Sequence, residues 1–146
     1  MTHRLVPPHG GELKELLAAA PRAAELKEAS RDWPTWDLTD RQMRDLELLL
    51  NGGFSPLTGF MNRPDYEAVR DRMRLEDDTL WPIPVTQNVS REVAEGLEPS
   101  KPLALRDPEG VLLAVLTVGD IWEPDLREEA EKVFGTTDTE HPRVDY

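Results

Sequence analysis

The apolar residues of the chain fall first at helical and later at extended spacing. Leu13, Leu16, Leu17 and Ala20 lie three or four residues apart and predict one helical face over 12–20. Pro21 is expected to stop that helix, because a proline ring inside a helix removes a hydrogen bond and clashes with the preceding turn. Upstream, Pro7 and Pro8 fix the segment Leu5 to Gly11 as extended. Residues 22–38 carry a weaker pattern, with Ala23, Ala24 and Leu26 compatible with a helix. A Trp33-Pro34-Thr35-Trp36 stretch follows that reads as a loop or short extended piece.

Thr39-Asp40-Arg41-Gln42 has the form of a capping box. It opens a helix through Met43, Leu46, Leu49 and Leu50, which Asn51-Gly52-Gly53 closes. The loop Phe54-Ser55-Pro56-Leu57-Thr58-Gly59-Phe60-Met61 is apolar, and Asn62 reads as the N-cap of a helix using Tyr66, Val69 and Met73. From Trp81 the period becomes extended, with Ile83, Val85 and Val89 on one face of an expected strand over 81–89. Ser90 caps a short helix. Residues 102–106 and 111–118 then flank Asp107-Pro108-Glu109-Gly110, a hairpin turn with proline at its second position and glycine at its fourth. A last helix uses Leu126, Ala130, Val133 and Phe134 and ends at Gly135, followed by a polar tail that finishes in an extended Val144-Asp145-Tyr146. Helices first and strands later make the fold class α+β, without the alternation of a parallel sheet.

A length of 146 residues fits a single domain. Seventeen Lys and Arg against 29 Asp and Glu give a net charge of −12, and the acidic excess grows toward the C-terminus. Such a surface repels phosphate backbones and anionic membranes, which argues against nucleic-acid partners and membrane association. No apolar run approaches the roughly 20 residues of a spanning helix, and the first eight residues lack a signal-peptide core. The expectation is a cytoplasmic protein. Without cysteine there is no disulfide framework, thiol nucleophile or cysteine-type zinc site.

The chain carries neither of the glycine-rich phosphate cradles. His3, His9 and His141 are never spaced three or four apart, so no metal site is expected, and each reads as a loop or surface residue. Ser55, before Pro56, suits turn hydrogen bonding better than nucleophilic attack. Gln42 and Arg44 offer an amide and a guanidinium, but two residues apart on a helix they diverge by about 200° and do not converge on one ligand. The residues by themselves predict no catalytic, substrate-binding or metal site.

The run Asp45-Leu46-Glu47-Leu48-Leu49-Leu50-Asn51-Gly52-Gly53-Phe54-Ser55-Pro56-Leu57-Thr58-Gly59-Phe60-Met61 resembles the N-terminal domain of ATP sulfurylase, sulfate adenylyltransferase. Around it stand, in the family's order, Leu5-Val6-Pro7-Pro8-His9-Gly10-Gly11, Leu80-Trp81-Pro82-Ile83-Pro84-Val85, Leu105-Arg106-Asp107-Pro108-Glu109-Gly110, Asp120-Ile121-Trp122 and Gly135-Thr136-Thr137-Asp138 with His141-Pro142. The resemblance implies a PUA-like distorted β-barrel with flanking helices over 1–146, with 136–146 starting the linker to a separate nucleotidyltransferase domain. The family enzyme joins sulfate to the AMP part of MgATP, giving adenosine 5′-phosphosulfate and pyrophosphate in sulfate assimilation. MgATP is then a substrate of the full enzyme, and this chain holds no cofactor.

The family's Gln-x-Arg-Asn and His-x-x-His motifs belong to that second domain and do not occur here. Gln42-Met43-Arg44-Asp45 matches the first in letters only. The resemblance therefore implies a structural role for a chain inactive by itself, packed on the catalytic domain and open to homo-oligomer contacts. Phe54, Leu57, Phe60 and Met61 are the candidate domain-interface residues, and burial in the domain's own core fits the same four equally well. The alternative is a free-standing PUA-like binding or scaffold module. RNA recognition, known for other PUA-like folds, is disfavoured by the charge of −12.

Overall fold

The computed structural model describes residues 5–142 and 144. Its elements run α1 (Ala20–Ala29), a 3-10 turn (Ser30–Asp32), β1 (Thr35–Asp37), α2 (Asp40–Leu50), α3 (Arg63–Arg72), α4 (Arg91–Glu95), β2 (Pro102–Arg106), β3 (Leu112–Thr117) and α5 (Leu126–Glu129), which continues as a π-helical turn (Ala130–Phe134). The described residues group into two compact units. One comprises residues up to Phe60 together with Gln87–Gly119, the other Met61–Thr86 together with the chain from Asp120 onward.

The first unit is built on an open three-stranded sheet of order β1-β2-β3. β2 and β3 form the expected antiparallel hairpin, with Leu103 opposite Leu116 and Ala104 opposite Val115, and the register shifts between Leu105 and Arg106. The turn closes as the sequence requires: Gly110 N–H donates to Asp107 O at 2.9 Å, Val111 N–H to Asp107 Oδ1 at 2.7 Å, and Gly110 takes φ +86°. β1 pairs in parallel with β2, Trp36 opposite Leu105. Central β2 buries Leu103, Ala104 and Leu105. Leu38, Leu46, Leu103, Leu105 and Val118 make the core, and Trp36, Met43, Leu50 and Phe60 pack on it.

α2 starts where the capping box places it. Gln42 N–H donates to Thr39 Oγ1 at 3.3 Å, and Thr39 N–H to Gln42 Oε1 at 3.0 Å. Ser90 likewise caps α4, accepting from Val93 N–H.

The helix expected over 12–20 is absent, and Pro21 begins a helix in place of ending one. A proline near the start of a helix gives up an N–H that has no partner there, so α1 opens at Ala20 with Pro21 in its first turn. The donors of the preceding segment go to distant partners, Lys14 N–H to Ser55 Oγ and Leu16 N–H to Leu50 O, both at 2.9 Å.

The second unit packs α3 with the π-helical turn. Asn62 stands at the N-cap of α3 without capping it: its Oδ1 accepts from Asp120 N–H at 3.4 Å, and Asp120 Oδ2 accepts from Arg63 N–H at 3.1 Å. The final helix ends as expected, at Gly135 with φ +71°.

Among the described residues the expected strand over 81–89 joins no ladder, and an isolated antiparallel bridge, Arg74 to Leu80, stands beside it. Pro82 and Pro84 lack N–H groups, which takes two donors out of four consecutive residues. The segment is held by single bonds instead, such as Met61 N–H to Val85 O at 2.9 Å. Of the features read from the sequence, His3 with the rest of residues 1–4, most of the terminal Val144-Asp145-Tyr146 and part of the expected linker over 136–146 lie outside the described residues.

Candidate functional site

The apolar loop after α2 is tied from within. Asn51 Oδ1 accepts from Gly53 N–H at 2.8 Å, Phe54 N–H donates to Leu48 O at 3.0 Å, and Leu57 N–H to Phe54 O at 2.9 Å. Buried Ser55 donates its hydroxyl to Gly52 O at 2.7 Å and accepts from Lys14 N–H at 2.9 Å, and the Ser55–Pro56 peptide is cis. Both capacities of that hydroxyl are engaged in the turn, the role its place before a proline suggests. Of the four candidate interface residues, Leu57 and Met61 are buried, while Phe54 and Phe60 are half-buried.

The most concentrated polar chemistry lies in the second unit. Tyr66, at the centre of α3, donates its hydroxyl to Glu129 Oε2 at 2.6 Å, and its ring lies 5.4 Å from that of Trp122. One turn on, Arg70 forks onto Asp71 through Nε at 2.7 Å and Nη2 at 3.0 Å, and reaches Glu128 Oε2 through Nη1 at 3.1 Å. Lys132 Nζ donates to Asp71 Oδ1 at 2.9 Å and Glu128 Oε1 at 2.6 Å.

These contacts set the protonation states. Burial, then the hydrogen bond to Glu129, pushes the Tyr66 hydroxyl up, so it remains a donor. The bond from Arg70, then that from Lys132, holds the Asp71 carboxyl well below the usual carboxylate range. The bonds to Glu128 and Asp71 raise the Lys132 ammonium. Arg70 and Lys132 thus satisfy Asp71 and Glu128, while Glu129 takes the tyrosine hydroxyl. Such a closed network clamps α3 to the last helix; it is poorly suited to catalysis, which needs a group poised near neutrality to move a proton.

The clamp escaped the sequence reading, although its local half was visible: Tyr66 with Arg70, and Glu128 with Lys132, each stand four apart on one helical face. The amide of Gln42 is also engaged. Its Oε1 accepts from Trp36 Nε1 at 3.0 Å as well as from Thr39, and its Nε2 donates to Asn88 O at 2.7 Å. His141 stacks on Phe134 with ring centroids 5.7 Å apart, and His9 lies exposed in the N-terminal segment. Among the described residues no three His, Asp or Glu side chains are grouped to hold a metal ion, and no helix is long and apolar enough to cross a membrane.

Comparison with known proteins supplies the family. The model of the PUA-like domain matches residues 6–146. The chain is 51% identical over 144 residues to the sulfate adenylyltransferase of Coccidioides immitis (strain RS), covering 96% of this chain and 25% of that protein. Against the sulfate adenylyltransferase of Saccharomyces cerevisiae it is 47% identical over 142 residues, covering 95% and 28%. Among solved structures, the hexameric APS kinase from Thiobacillus denitrificans superposes with a TM-score of 0.73 at 38% identity, over 83% of this chain and 24% of that one. The chain spans about a quarter of the length of the curated relatives it matches. With an α+β core, a tied apolar loop and a closed polar clamp, the chain belongs to the PUA-like domain family and is homologous to the N-terminal part of sulfate adenylyltransferases.

Proposed function

We propose that this chain works as the N-terminal structural domain of a sulfate adenylyltransferase, with the chemistry carried by a nucleotidyltransferase domain outside these residues. The observation that carries the reading is about 50% identity over 96% of this chain, against only 25% of the relative. In that setting the full protein joins sulfate to the AMP part of MgATP in the cytoplasm. MgATP is bound by the catalytic domain, and this chain holds no cofactor of its own.

Phe54, Leu57, Phe60 and Met61 form the contact region toward the catalytic domain. The half-buried phenylalanines supply its surface, and the buried Leu57 and Met61 hold the loop in place. The hexameric state of the structural neighbour supports a homo-oligomer. The parallel β1 edge beside the β2–β3 hairpin fits a distorted barrel with few regular ladders. The whole span acts as one PUA-like domain, from which 136–146 leads toward the catalytic part.

The test has two arms. The purified 146-residue chain, given MgATP and sulfate, should release no pyrophosphate above background, and robust turnover would overturn the assignment. Replacing the matched segment of the Saccharomyces cerevisiae enzyme by this chain should leave a folded, active sulfate adenylyltransferase; an inactive chimera would equally sink the proposal.

A further inference from the structure

The end of α2 and the segment before α1 meet at Gly52 and Gly53. A Cβ on Gly52 would lie 2.7 Å from Leu13 Cδ1, and one on Gly53 would lie 2.9 Å from Leu48 Cδ2. The two leucines therefore rest directly on adjacent glycines. Backbone bonds pin both neighbours in place: Leu16 N–H to Leu50 O at 2.9 Å, and Phe54 N–H to Leu48 O at 3.0 Å. Nevertheless Leu13 is 52% exposed, Leu17 63% and Leu48 38%. Scattered exposed leucines are ordinary, but Leu13 and Leu48, exposed on adjacent glycines of a tied backbone, mark a surface that something covers.

We propose that Leu13, Leu17, Leu48 and Phe54 form the face covered by the remaining, catalytic part of a sulfate adenylyltransferase. This rests on the function proposed above and names the surface. Two observations favour that occupant over a second copy of the chain. In the relatives the matched span is 25% to 28% of the protein, so the patch is tethered to roughly three times its own length of chain, at an effective concentration on the order of millimolar.

Charge is the second. The chain carries −12, exposed Glu12 and Glu47 lie next in sequence to Leu13 and Leu48, and exposed Glu15 lies between Leu13 and Leu17, with the Lys14 ammonium already held by Glu12 at 2.6 Å. Two copies face to face would oppose like charges, which is costly across an interface. The fitting partner is apolar at its centre and basic at its rim. A domain that holds sulfate and nucleotide phosphates needs cationic groups of that kind.

The test compares the free 146-residue chain with the Saccharomyces cerevisiae chimera, each with and without Leu13→Gln plus Leu48→Gln. Amide hydrogen exchange in peptides covering 13–17 and 48–54 should slow by about tenfold or more in the chimera, as expected for apolar surface removed from water. The double substitution should abolish that slowing while leaving the melting temperature of the free chain unchanged. Equal exchange in chimera and free chain, in a chimera that is active, would overturn the patch and leave the function standing. A lowered melting temperature of the free variant would place the leucines in the domain's own core and overturn the patch as well. Sedimentation showing a dimer of the free chain that the double substitution dissolves would overturn the occupant, and an inactive parent chimera would overturn the function itself.

Discussion

Gly10 and Gly110 both sit at positive φ, +75° and +86°, yet they answer to different constraints. A Cβ on Gly110 would meet nothing within 4 Å, whereas one on Gly10 would lie 2.8 Å from Cβ and 2.9 Å from Cγ of Pro56. Gly110→Ala should therefore cost only the left-handed penalty of about 1–2 kcal/mol. Gly10→Ala should cost that plus an overpacking cost of about 1–3 kcal/mol. Urea unfolding of the two variants checks the order, and equal losses would refute the role given to Pro56. Gly110 was legible in Asp107-Pro108-Glu109-Gly110, because turn chemistry is local. The approach of Gly10 to Pro56 was not, since nothing local tells which distant ring a glycine must clear. The same holds for Leu57 and Met61, whose apolar character suited core and interface alike.

Among the elements, α2 is the one whose sequence signal was complete. Thr39→Ala removes the acceptor for Gln42 N–H and should cost about 1 kcal/mol. Gln42→Ala should cost more, about 2–3 kcal/mol, because Thr39 N–H and Trp36 Nε1 lose an acceptor and Asn88 O loses a donor. Thermal unfolding of both variants measures the difference, and equal losses would mean that Gln42 does no more than close the cap. The misread elements failed for stated reasons. Leu13, Leu16 and Leu17 have helical spacing, but spacing is blind to the bonds that Ser55 and Leu50 offer the backbone at Lys14 and Leu16. Residues 81–89 alternate like a strand, but a ladder needs N–H groups that Pro82 and Pro84 do not have. At α3, Asn62 has the right residue type for a cap, while the cap itself comes from Asp120, 57 residues away along the chain from Arg63.

For the molecule as a whole, the acidic balance makes the few well-paired carboxylates important to acid stability. The folded-state pKa of Asp71 is depressed by Arg70 and Lys132, so the stability it contributes is present above its unfolded value of about 3.9 and is lost as pH falls below that value. Asp71→Asn should therefore lower the urea midpoint at pH 7, and the gap to the parent chain should narrow between about pH 4 and pH 2. A gap independent of pH would show that Asp71 acts through packing and not through its charge. The parallel pairing of β1 with β2 has a kinetic consequence. Thr35 and Ala104 are 69 residues apart in the chain, whereas β2 and β3 are joined by a tight turn. Closing a long loop costs entropy before any pairing rewards it, so the hairpin is the natural early structure in refolding. Addition of β1 comes late, and in a chain emerging from the ribosome β1 waits unpaired until Ala104, 69 residues after Thr35, and the rest of β2 have followed.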